Sequence, residues 1–312
     1  MSVPLIVLVG TTASGKSSLA IECALALIAS GQQAEIVNAD SMAVYRGMDI
    51  GTAKPSMDER RGVRHHLIDI MGIDEPASVA LFQDLARQAI EACRQAEIIP
   101  IVVGGSALYL HGIIDDFQFP PTDEDLRQRL TSQWEEIGTP AMYERLRSLN
   151  EQAARGIEPT NSRRIIRALE AIELTGGFSS TLPEWTYAMA GVHQIGLQID
   201  RETMDVRIEA RVTRMWEQGF VDEVRTLLDQ GLRQSPTASR AIGYRQIIDF
   251  LDGEITEEEA LERTVIRTRQ FSRRQLAWWK RDPRITWVPW TATAQEVLPL
   301  VAVTPSDKLT ES

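Results

Sequence analysis

Residues 5–17 read LIVLVGTTASGKS, and this stretch decides the fold. Leu5–Val9 is continuously apolar, as in a strand buried on both faces of a parallel sheet. Gly10–Ser17 fits the phosphate-binding pattern G-x-x-x-x-G-K-[ST], and a helical pattern follows over Lys16–Ala29. In such a loop the backbone N–H groups point at phosphate oxygens, and the lysine adds a charge. The predicted diphosphate-binding residues are Gly10, Thr11, Thr12, Ala13, Ser14, Gly15, Lys16 and Ser17, with the Ser17 hydroxyl as the ligand of Mg²⁺.

Alternating strand-like and helical runs follow this loop along the chain. The strand-like runs are Glu35–Ala39, Leu67–Ile70, Ile98–Val103, Gln194–Ile199 and a short one at Arg284–Val288. Helical patterns cover Ser78–Gln95, Asp205–Gly219 and about Thr256 to Lys280. The alternation predicts an α/β fold, with a P-loop NTPase-like parallel sheet flanked by helices.

The middle of the chain breaks this alternation. Helical patterns begin near Thr122, Thr139 and Asn161, and no convincing strand pattern separates them. An all-helical stretch inside an α/β chain indicates an inserted subdomain. The expected division is 1–115 for the first part of the core, 116–195 for the insertion, 196–290 for the second part of the core with its basic last helix, and 291–312 for a tail that is disordered from about Thr304.

Composition narrows the class of protein. The chain has 312 residues, 43% hydrophobic and 25% charged, which is typical of a globular protein. It contains no apolar run of transmembrane length and no secretory signal, so we expect a cytoplasmic protein with no membrane partner, and a monomer by default. Cys23 and Cys93 are the only cysteines, too few for a disulfide framework or for a zinc site built from cysteines, and we expect both to pack in the core. No Cys or His lies at ligand spacing from His65 and His66, for which we expect a structural or substrate-side role.

The charge is unevenly distributed along the chain. The formal net charge of −11 argues mildly against a nucleic-acid partner. Between Arg263 and Arg284, however, eight basic residues accompany the single acid Asp282. Such a stripe fits either a solvated helix face or a surface for a polyanion.

The P-loop alone does not identify the reaction. A kinase or NTPase usually carries an acid at the end of a second buried strand, where it organises Mg²⁺ and water. Here the run Ile98–Val103 ends in Gly104, Gly105 and Ser106, and the acid is instead Asp40, after Glu35–Ala39. Spacing alone leaves Asp40 as either a magnesium organiser or a general base.

Several blocks together resemble the tRNA dimethylallyltransferase family of bacterial type. They occur in the family's order from residue 4 to about residue 290, and they comprise residues 10–17, 40–55, 65–69, 103–109, 161–170 and 240–245. Residues 51–55, which read GTAKP, and residues 104–109, which read GGSALY, are far more specific than the P-loop. Two positions depart from the pattern: Ala43 stands where many members have Gln, and Ser106 where many have Thr.

The resemblance implies an enzyme that transfers a dimethylallyl group from dimethylallyl diphosphate to N6 of a tRNA adenine on the 3′ side of the anticodon. It implies that Asp40 accepts the N6 proton and that Ser106 places the amine. Lys16, Mg²⁺ and a basic group such as Arg207 or Arg211 would stabilise the departing diphosphate. The target adenine would have to leave its stack to reach Asp40.

The resemblance also implies an anticodon stem-loop as the partner, gripped in part by the insertion. The expected tRNA-binding residues are Asp40, Ser41, Met42, Ala43, Ser106, Arg127, Arg163, Arg164, Arg167, Arg240, Gly243, Tyr244 and Arg245. Arg163, Arg164 and Arg167 lie within about one turn at a helix start, where they suit phosphate contacts. For Trp278 and Trp279 we favour packing over base stacking.

Three alternatives remain open at this point. A P-loop kinase for a small metabolite would transfer a phosphoryl group from ATP and would leave the basic helices of the insertion without a role. An isoprenoid transferase acting on free adenine nucleotides would not need those arginines. A nucleotide-switched RNA-binding protein would leave Asp40 and residues 104–106 unexplained.

Overall fold

The structure of the protein, a computed structural model, describes residues 3–75, 77–179, 185–235 and 237–301. They form two compact units, an inserted unit of residues Asp116–Thr186 and a core unit from the segments on either side. The strands are β1 Leu5–Gly10, β2 Gln33–Asn38, β3 His65–His66, β4 Ile98–Gly104, β5 Val192–Gln198 and β6 Thr286–Pro289. The core helices are α1 Lys16–Ala29, α2 Met57–Arg60, α3 Val79–Gln95, α4 Ala107–Ile114, α8 Arg201–Glu217, α9 Phe220–Asp229, α10 Tyr244–Leu251, α11 Glu257–Trp279 and α12 Ala294–Val301, and those of the inserted unit are α5 Glu124–Leu149, α6 Glu151–Arg155 and α7 Ser162–Thr175.

The core unit is built on one six-stranded sheet in the order β3-β2-β4-β1-β5-β6. All of its pairings are parallel, which confirms the predicted α/β fold with a parallel sheet. Every residue of β1 is buried, as its continuous apolar run predicts. Because β2, β4 and β1 are neighbours, the loops that follow them emerge at the same edge of the sheet. This edge carries the P-loop.

Helices cover both faces of the sheet, and the alternation along β1 shows how. Ile6 and Leu8 pack into a cluster with α1 and α12. Val7 and Val9 face the opposite way, into the larger cluster formed with α3, α4, α9 and α10. The period of two along the strand thus divides the core into two apolar layers.

The regular elements in the described part of the inserted unit are all helices. Gly138 has a φ of 79°, which breaks α5 between the two helical patterns predicted there. The Asn161 side chain accepts a hydrogen bond from the backbone N–H of Arg164 at 3.1 Å, so it caps α7 as predicted. The expected boundary at residue 195 is corrected to 186, since β5 already begins at Val192 and pairs with β1.

Two further elements differ from the predicted pattern. The strand expected at Leu67–Ile70 is β3, two residues earlier, because Leu67 and Asp69 adopt positive φ angles of 61° and 59° that end the extended conformation. Part of the expected tail forms α12, which buries Val297 against the sheet. The expected disorder from Thr304 lies outside the described residues. None of the described helices combines the length and the apolar composition needed to cross a bilayer.

Candidate active site

The P-loop curls around a position suited to an anion. Gly15 has a φ of 91°, and α1 starts immediately after it, so the helix N-terminus faces the loop. The Lys16 ammonium donates a hydrogen bond to the Thr11 carbonyl oxygen at 3.2 Å. The hydroxyls of Thr11 and Ser14 are buried and have no hydrogen-bond partner within the described part of the chain. Buried hydroxyls are normally satisfied, so these two fit a ligand that accepts hydrogen bonds. The Ser17 hydroxyl is exposed at the start of α1.

The loops after β2 and β4 meet beside the P-loop. The Asn38 side chain accepts from the Asp40 N–H and donates to the Asp40 carbonyl, both at 3.0 Å, which fixes the backbone of Asp40. The Asp40 carboxylate accepts from the Met42 N–H at 2.8 Å, and the rest of it is exposed. A Cβ atom on Gly104 would lie 2.6 Å from the Ala39 carbonyl oxygen, so the close approach of the two loops requires glycine there. Ser106 follows at the start of α4 and is half-buried.

A buried glutamine that sequence reasoning missed joins two of these loops. Gln275 of α11 accepts hydrogen bonds from the Thr12 N–H at 2.9 Å and from the Thr12 hydroxyl at 3.2 Å. Its amide nitrogen donates to the Gly105 carbonyl at 3.0 Å. One side chain therefore sets the spacing between the P-loop and the loop that carries Ser106. The sequence does contain a sign of this role: four polar residues recur at helical spacing along α11 and all are buried. They are Thr264, Thr268, Ser272 and Gln275.

Gln275→Ala is expected to lower kcat/KM of the reaction at this site about tenfold or more, because it removes all three bonds between the loops. Its free energy of unfolding should fall by about 1–3 kcal/mol, since buried groups lose their partners. The matched control is Gln270→Ala, an exposed glutamine on the same helix. Steady-state kinetics and urea unfolding of both variants make the measurement. Equal values of kcat/KM in the two variants would show that Gln275 does not position the loops of the site.

Two arginines of α8 contact the phosphate loop and its surroundings. Arg207 donates to the Ala13 carbonyl at 2.8 Å, and its guanidinium lies 4.4 Å from the centre of the Trp290 ring. Arg211, one turn later, donates to the Thr52 carbonyl at 3.3 Å. Desolvation lowers the pKa of Arg211, whereas the charge of Asp40 raises it. Both guanidinium groups therefore add positive charge beside the P-loop.

The charge of Lys16 is sensitive to pH. Desolvation by burial, followed by repulsion from Arg211, lowers the pKa of Lys16 to about 8, although Asp40 acts in the opposite direction. Lysine carries its charge below its pKa, so the loop loses this cation as the pH rises through about 8. These effects place Asp40, Lys16 and Arg211 in one electrostatic cluster.

We expect the affinity of the P-loop for an organic diphosphate to be constant below pH 8 and to fall above it. The bound diphosphate holds the proton on Lys16, so the logarithm of the dissociation constant should rise by up to about one per pH unit. Calorimetric titrations between pH 6.5 and about 10 at fixed magnesium test this. The Lys16→Met variant should show weaker binding without that inflection. If the affinity of Lys16→Met showed the same change of slope near pH 8, a group other than Lys16 would be responsible for it.

The structure separates the predicted tRNA-binding arginines of the inserted unit into two kinds. The Glu170 carboxylate has no exposed surface and binds Arg127 at 3.0 Å and Arg167 at 2.8 Å. Arg167 also donates to the carbonyls of residues 120 and 121. Arg127 and Arg167 therefore hold the helices together, and their assignment to tRNA binding stays a prediction. Arg163 and Arg164 are exposed.

The predicted tRNA-binding residues of the core unit also fall into two groups, one exposed and one buried. Arg240 and Arg245 are exposed, and Arg245 pairs with Asp249 at 2.8 Å. Tyr244 is fully buried and its hydroxyl donates to Glu223 at 2.5 Å. Gly243 and Ala43 are buried as well, so all three residues pack in the core unit, and their assignment to tRNA binding stays a prediction. Ser41 and Met42 lie beside Asp40 and are half-buried.

Half of the eight basic residues of the stripe are paired with acids. Arg269 binds Glu209 at 2.6 Å, and Arg273 binds Asp205 at 3.3 Å. Arg284 binds Asp115 at 2.6 Å and Asp282 at 2.8 Å in the core. These pairs reduce the free positive charge of the stripe. Trp279 is fully buried, which supports packing for this side chain.

Known proteins resemble this chain over most of its length. The family model described as IPP transferase matches residues 43–282. A tRNA dimethylallyltransferase of Cutibacterium acnes is 49% identical over 287 residues, which are 92% of this chain and 90% of that protein. The namesake from Thermobifida fusca is 52% identical over 288 residues, with the same shares of the two chains.

Two solved structures resemble the whole fold. The tRNA isopentenylpyrophosphate transferase of Bacillus halodurans superposes with a TM-score of 0.69 at 36% identity, over 96% of this chain and 94% of that chain. A eukaryotic dimethylallyltransferase, described as acting on tRNA, superposes with a TM-score of 0.77 at 25% identity over 92% of this chain and 74% of its own. The family match covers most of the chain and the bacterial relatives cover nearly all of it. The chain therefore belongs to the IPP transferase family, that of the tRNA dimethylallyltransferases.

Proposed function

We propose that this protein transfers a dimethylallyl group from dimethylallyl diphosphate to N6 of an adenine in tRNA and releases diphosphate. The observation that carries the proposal is that the P-loop lies beside one carboxylate, that of Asp40. The neighbouring strand β4 ends without a second acid that could orient a water molecule for hydrolysis. Asp40 stands at the end of β2, and β4 ends in Gly104 without an acid. This arrangement suits a base and a leaving diphosphate better than hydrolysis of ATP. The relatives named above carry the same activity in their names.

The chemistry can be assigned to groups of this chain. Adenine N6 is a weak nucleophile because its lone pair is delocalised into the ring, so it needs a base. Asp40 accepts the N6 proton while nitrogen bonds to the allylic carbon and the carbon–oxygen bond of the substrate breaks. The electrons of that bond leave with the diphosphate, whose charge Lys16, the loop N–H groups, Arg207 and Arg211 stabilise. Ser106 offers a hydroxyl to place the amine.

The P-loop also fits a magnesium ion. The exposed Ser17 hydroxyl follows the anion-binding loop directly, and Mg²⁺ prefers oxygen ligands that include substrate phosphates. Ser17 and the diphosphate oxygens would hold the ion. When bound, it neutralises part of the diphosphate charge.

The proposed RNA partner is the anticodon stem-loop, with the reactive adenine on the 3′ side of the anticodon. The base would be flipped out to reach Asp40, at a cost that contacts with the RNA backbone offset. Arg163 and Arg164 on the inserted unit, and Arg240 and Arg245 on the core unit, supply exposed positive charge. We propose that the protein is cytoplasmic, as expected for an enzyme that acts on tRNA, and monomeric by default.

Changing Arg163 and Arg164 to Ala together should weaken tRNA binding and flatten its salt dependence. Each phosphate contact contributes about one unit to the slope of log affinity against log salt, so the slope should fall by up to about two units. Binding of dimethylallyl diphosphate should stay unchanged. The measurement is a salt titration of tRNA binding at fixed pH and magnesium.

Arg167→Ala is the matched control on the same helix. It should leave the salt slope nearly unchanged and lower the free energy of unfolding by about 1.5–3 kcal/mol, because Glu170 loses a charged partner. Parallel slopes for the double variant and the wild type would mean that Arg163 and Arg164 touch no phosphate.

One assay separates this function from its alternatives. The protein is incubated with labelled dimethylallyl diphosphate and unmodified tRNA in the absence of ATP, and the RNA is recovered. We expect label in the RNA and release of diphosphate, whereas free AMP or ADP should accept no label. Turnover that requires ATP would favour a kinase, and labelling of free nucleotides would favour a nucleotide prenyltransferase.

A further inference from the structure

Three side chains with metal-binding chemistry meet at the edge of the sheet, away from the P-loop. His66 Nε2 lies 2.5 Å from a Glu35 carboxylate oxygen. The Cys93 sulfur lies 3.6 Å from the same oxygen and 3.7 Å from His66 Nε2. The three donor atoms lie within 4.8 Å of one another. They come from β2, from β3 and from the last turn of α3, so the fold joins residues that the sequence keeps 27 or more positions apart.

The geometry of these atoms is close to that of a tetrahedral site. Metal–ligand bonds of about 2.0–2.3 Å place neighbouring ligand atoms roughly 3.3–3.7 Å apart. Both distances from the Cys93 sulfur meet this requirement. The third distance, between Glu35 and His66, is a hydrogen bond that holds one proton. A metal ion in place of that proton requires the two atoms to separate by somewhat less than ~1 Å, a shift of one carboxylate rotamer.

We propose that Glu35, His66 and Cys93 bind one divalent transition-metal ion of zinc-like preference, with water in the fourth position. Imidazole, thiolate and carboxylate are the ligands that Zn²⁺ uses in proteins. The side chains of His66 and Glu35 are 17% and 15% exposed, so the ion reaches the site from solvent. Cys93 is buried, which closes the inner side of the site.

The surrounding charges determine the free-energy cost of binding a metal ion at this site. Burial, followed by the charge of Glu35, raises the pKa of Cys93 to about 11, so the thiol is protonated without a metal ion. Binding therefore forms a metal–sulfur bond and releases the thiol proton to water, and the proton between His66 and Glu35 must leave Nε2 so that this nitrogen can bind the ion. Arg64 lies 3.7 Å from the other Glu35 oxygen and is 70% exposed, so its repulsion of the ion is screened by solvent.

The ion would fasten the edge strand to the sheet and to α3. β3 has only two residues and is the outermost strand, with pairing on one side. A bond from β2 and α3 to His66 stabilises an element with few hydrogen bonds of its own. The site is therefore a stabilising one, and it is independent of the prenyl-transfer chemistry.

Cobalt substitution tests the proposal on the full-length protein. After treatment with a chelator and its removal, the protein is titrated with Co²⁺ and the thiolate-to-cobalt charge-transfer absorption is followed. We expect one ion per chain, a band that Zn²⁺ abolishes, and a higher melting temperature in Zn²⁺. An ion held at the P-loop has only oxygen ligands and gives no such band.

Variants separate this site from adventitious binding. Cys93→Ser and His66→Ala should each abolish the band and weaken Zn²⁺ binding at least about 100-fold. Cys23→Ser is the matched control, since Cys23 is the other buried cysteine of the chain and should leave the band intact. Glu35→Gln, which preserves size, provides a second test of the same site with an intact thiol, and it should shift the band and weaken binding. No band in the wild type, or a band that persists in Cys93→Ser, would overturn the proposal.

Discussion

Asp40→Asn is expected to lower kcat for prenyl transfer by about 10²–10⁴ while tRNA affinity stays nearly constant. The amide keeps the size of the side chain, and its oxygen still accepts the hydrogen bond from the Met42 N–H. Asn38 continues to fix the backbone at residue 40. The change therefore removes the proton acceptor and leaves the loop in place. Single-turnover kinetics with saturating tRNA and dimethylallyl diphosphate measure the chemical step directly.

The control for this prediction is Asp74→Asn, which removes one negative charge from an exposed loop residue. It should leave the rate within about a factor of two. Near wild-type turnover in Asp40→Asn would show that Asp40 is not the general base. A loss that appears only in KM would instead give Asp40 a role in binding, since uniform binding leaves kcat unchanged.

Lys16→Ala is the second change with a large expected effect. Loss of this cation should weaken binding of dimethylallyl diphosphate and lower kcat by about 10²–10³, because the same charge faces the substrate and the departing diphosphate. Arg207 and Arg211 remain beside the loop, so a residual rate is expected. Inorganic diphosphate should compete with the substrate in the wild type and bind much more weakly to the variant.

The control is Lys280→Ala, because Lys280 is an exposed lysine at the end of α11. It should leave diphosphate binding unchanged. If inorganic diphosphate fails to compete in the wild type, or if ATP proves to be the required ligand, the P-loop has another substrate and the kinase interpretation returns.

The elements that carry a local signal were predictable from the sequence. The continuous apolar run of β1 and the glycine pattern after it predicted the P-loop and the parallel sheet, and Asn161 marked the start of α7 through its own capping bond. β3 was displaced because a strand of two residues leaves almost no periodic signal. The helix α12 was missed because its amphipathic run follows the last predicted strand without a break in composition.

Contacts between side chains that are distant in sequence could not be predicted from local sequence patterns. A cluster of arginines looks alike whether it faces solvent or a buried carboxylate, so only the fold showed that Glu170 occupies Arg127 and Arg167. Tyr244 was predicted to bind tRNA together with Arg240 and Arg245, and nothing in the sequence indicated that its hydroxyl donates to Glu223, 21 residues earlier. Gln275 joins loops that precede it by 170 and 263 residues, and local spacing carries no trace of that.

The most direct test of the central claim is the mass of the modified nucleoside. Unmodified tRNA is incubated with the protein, Mg²⁺ and dimethylallyl diphosphate, digested to nucleosides, and analysed by mass spectrometry beside a reaction with Asp40→Asn. We predict one adenosine that gains C₅H₈ on N6, located by fragmentation of the oligonucleotide to the 3′ side of the anticodon, and very little of it in the variant. Unmodified adenosine in the wild-type reaction, with dimethylallyl diphosphate intact, would contradict the account.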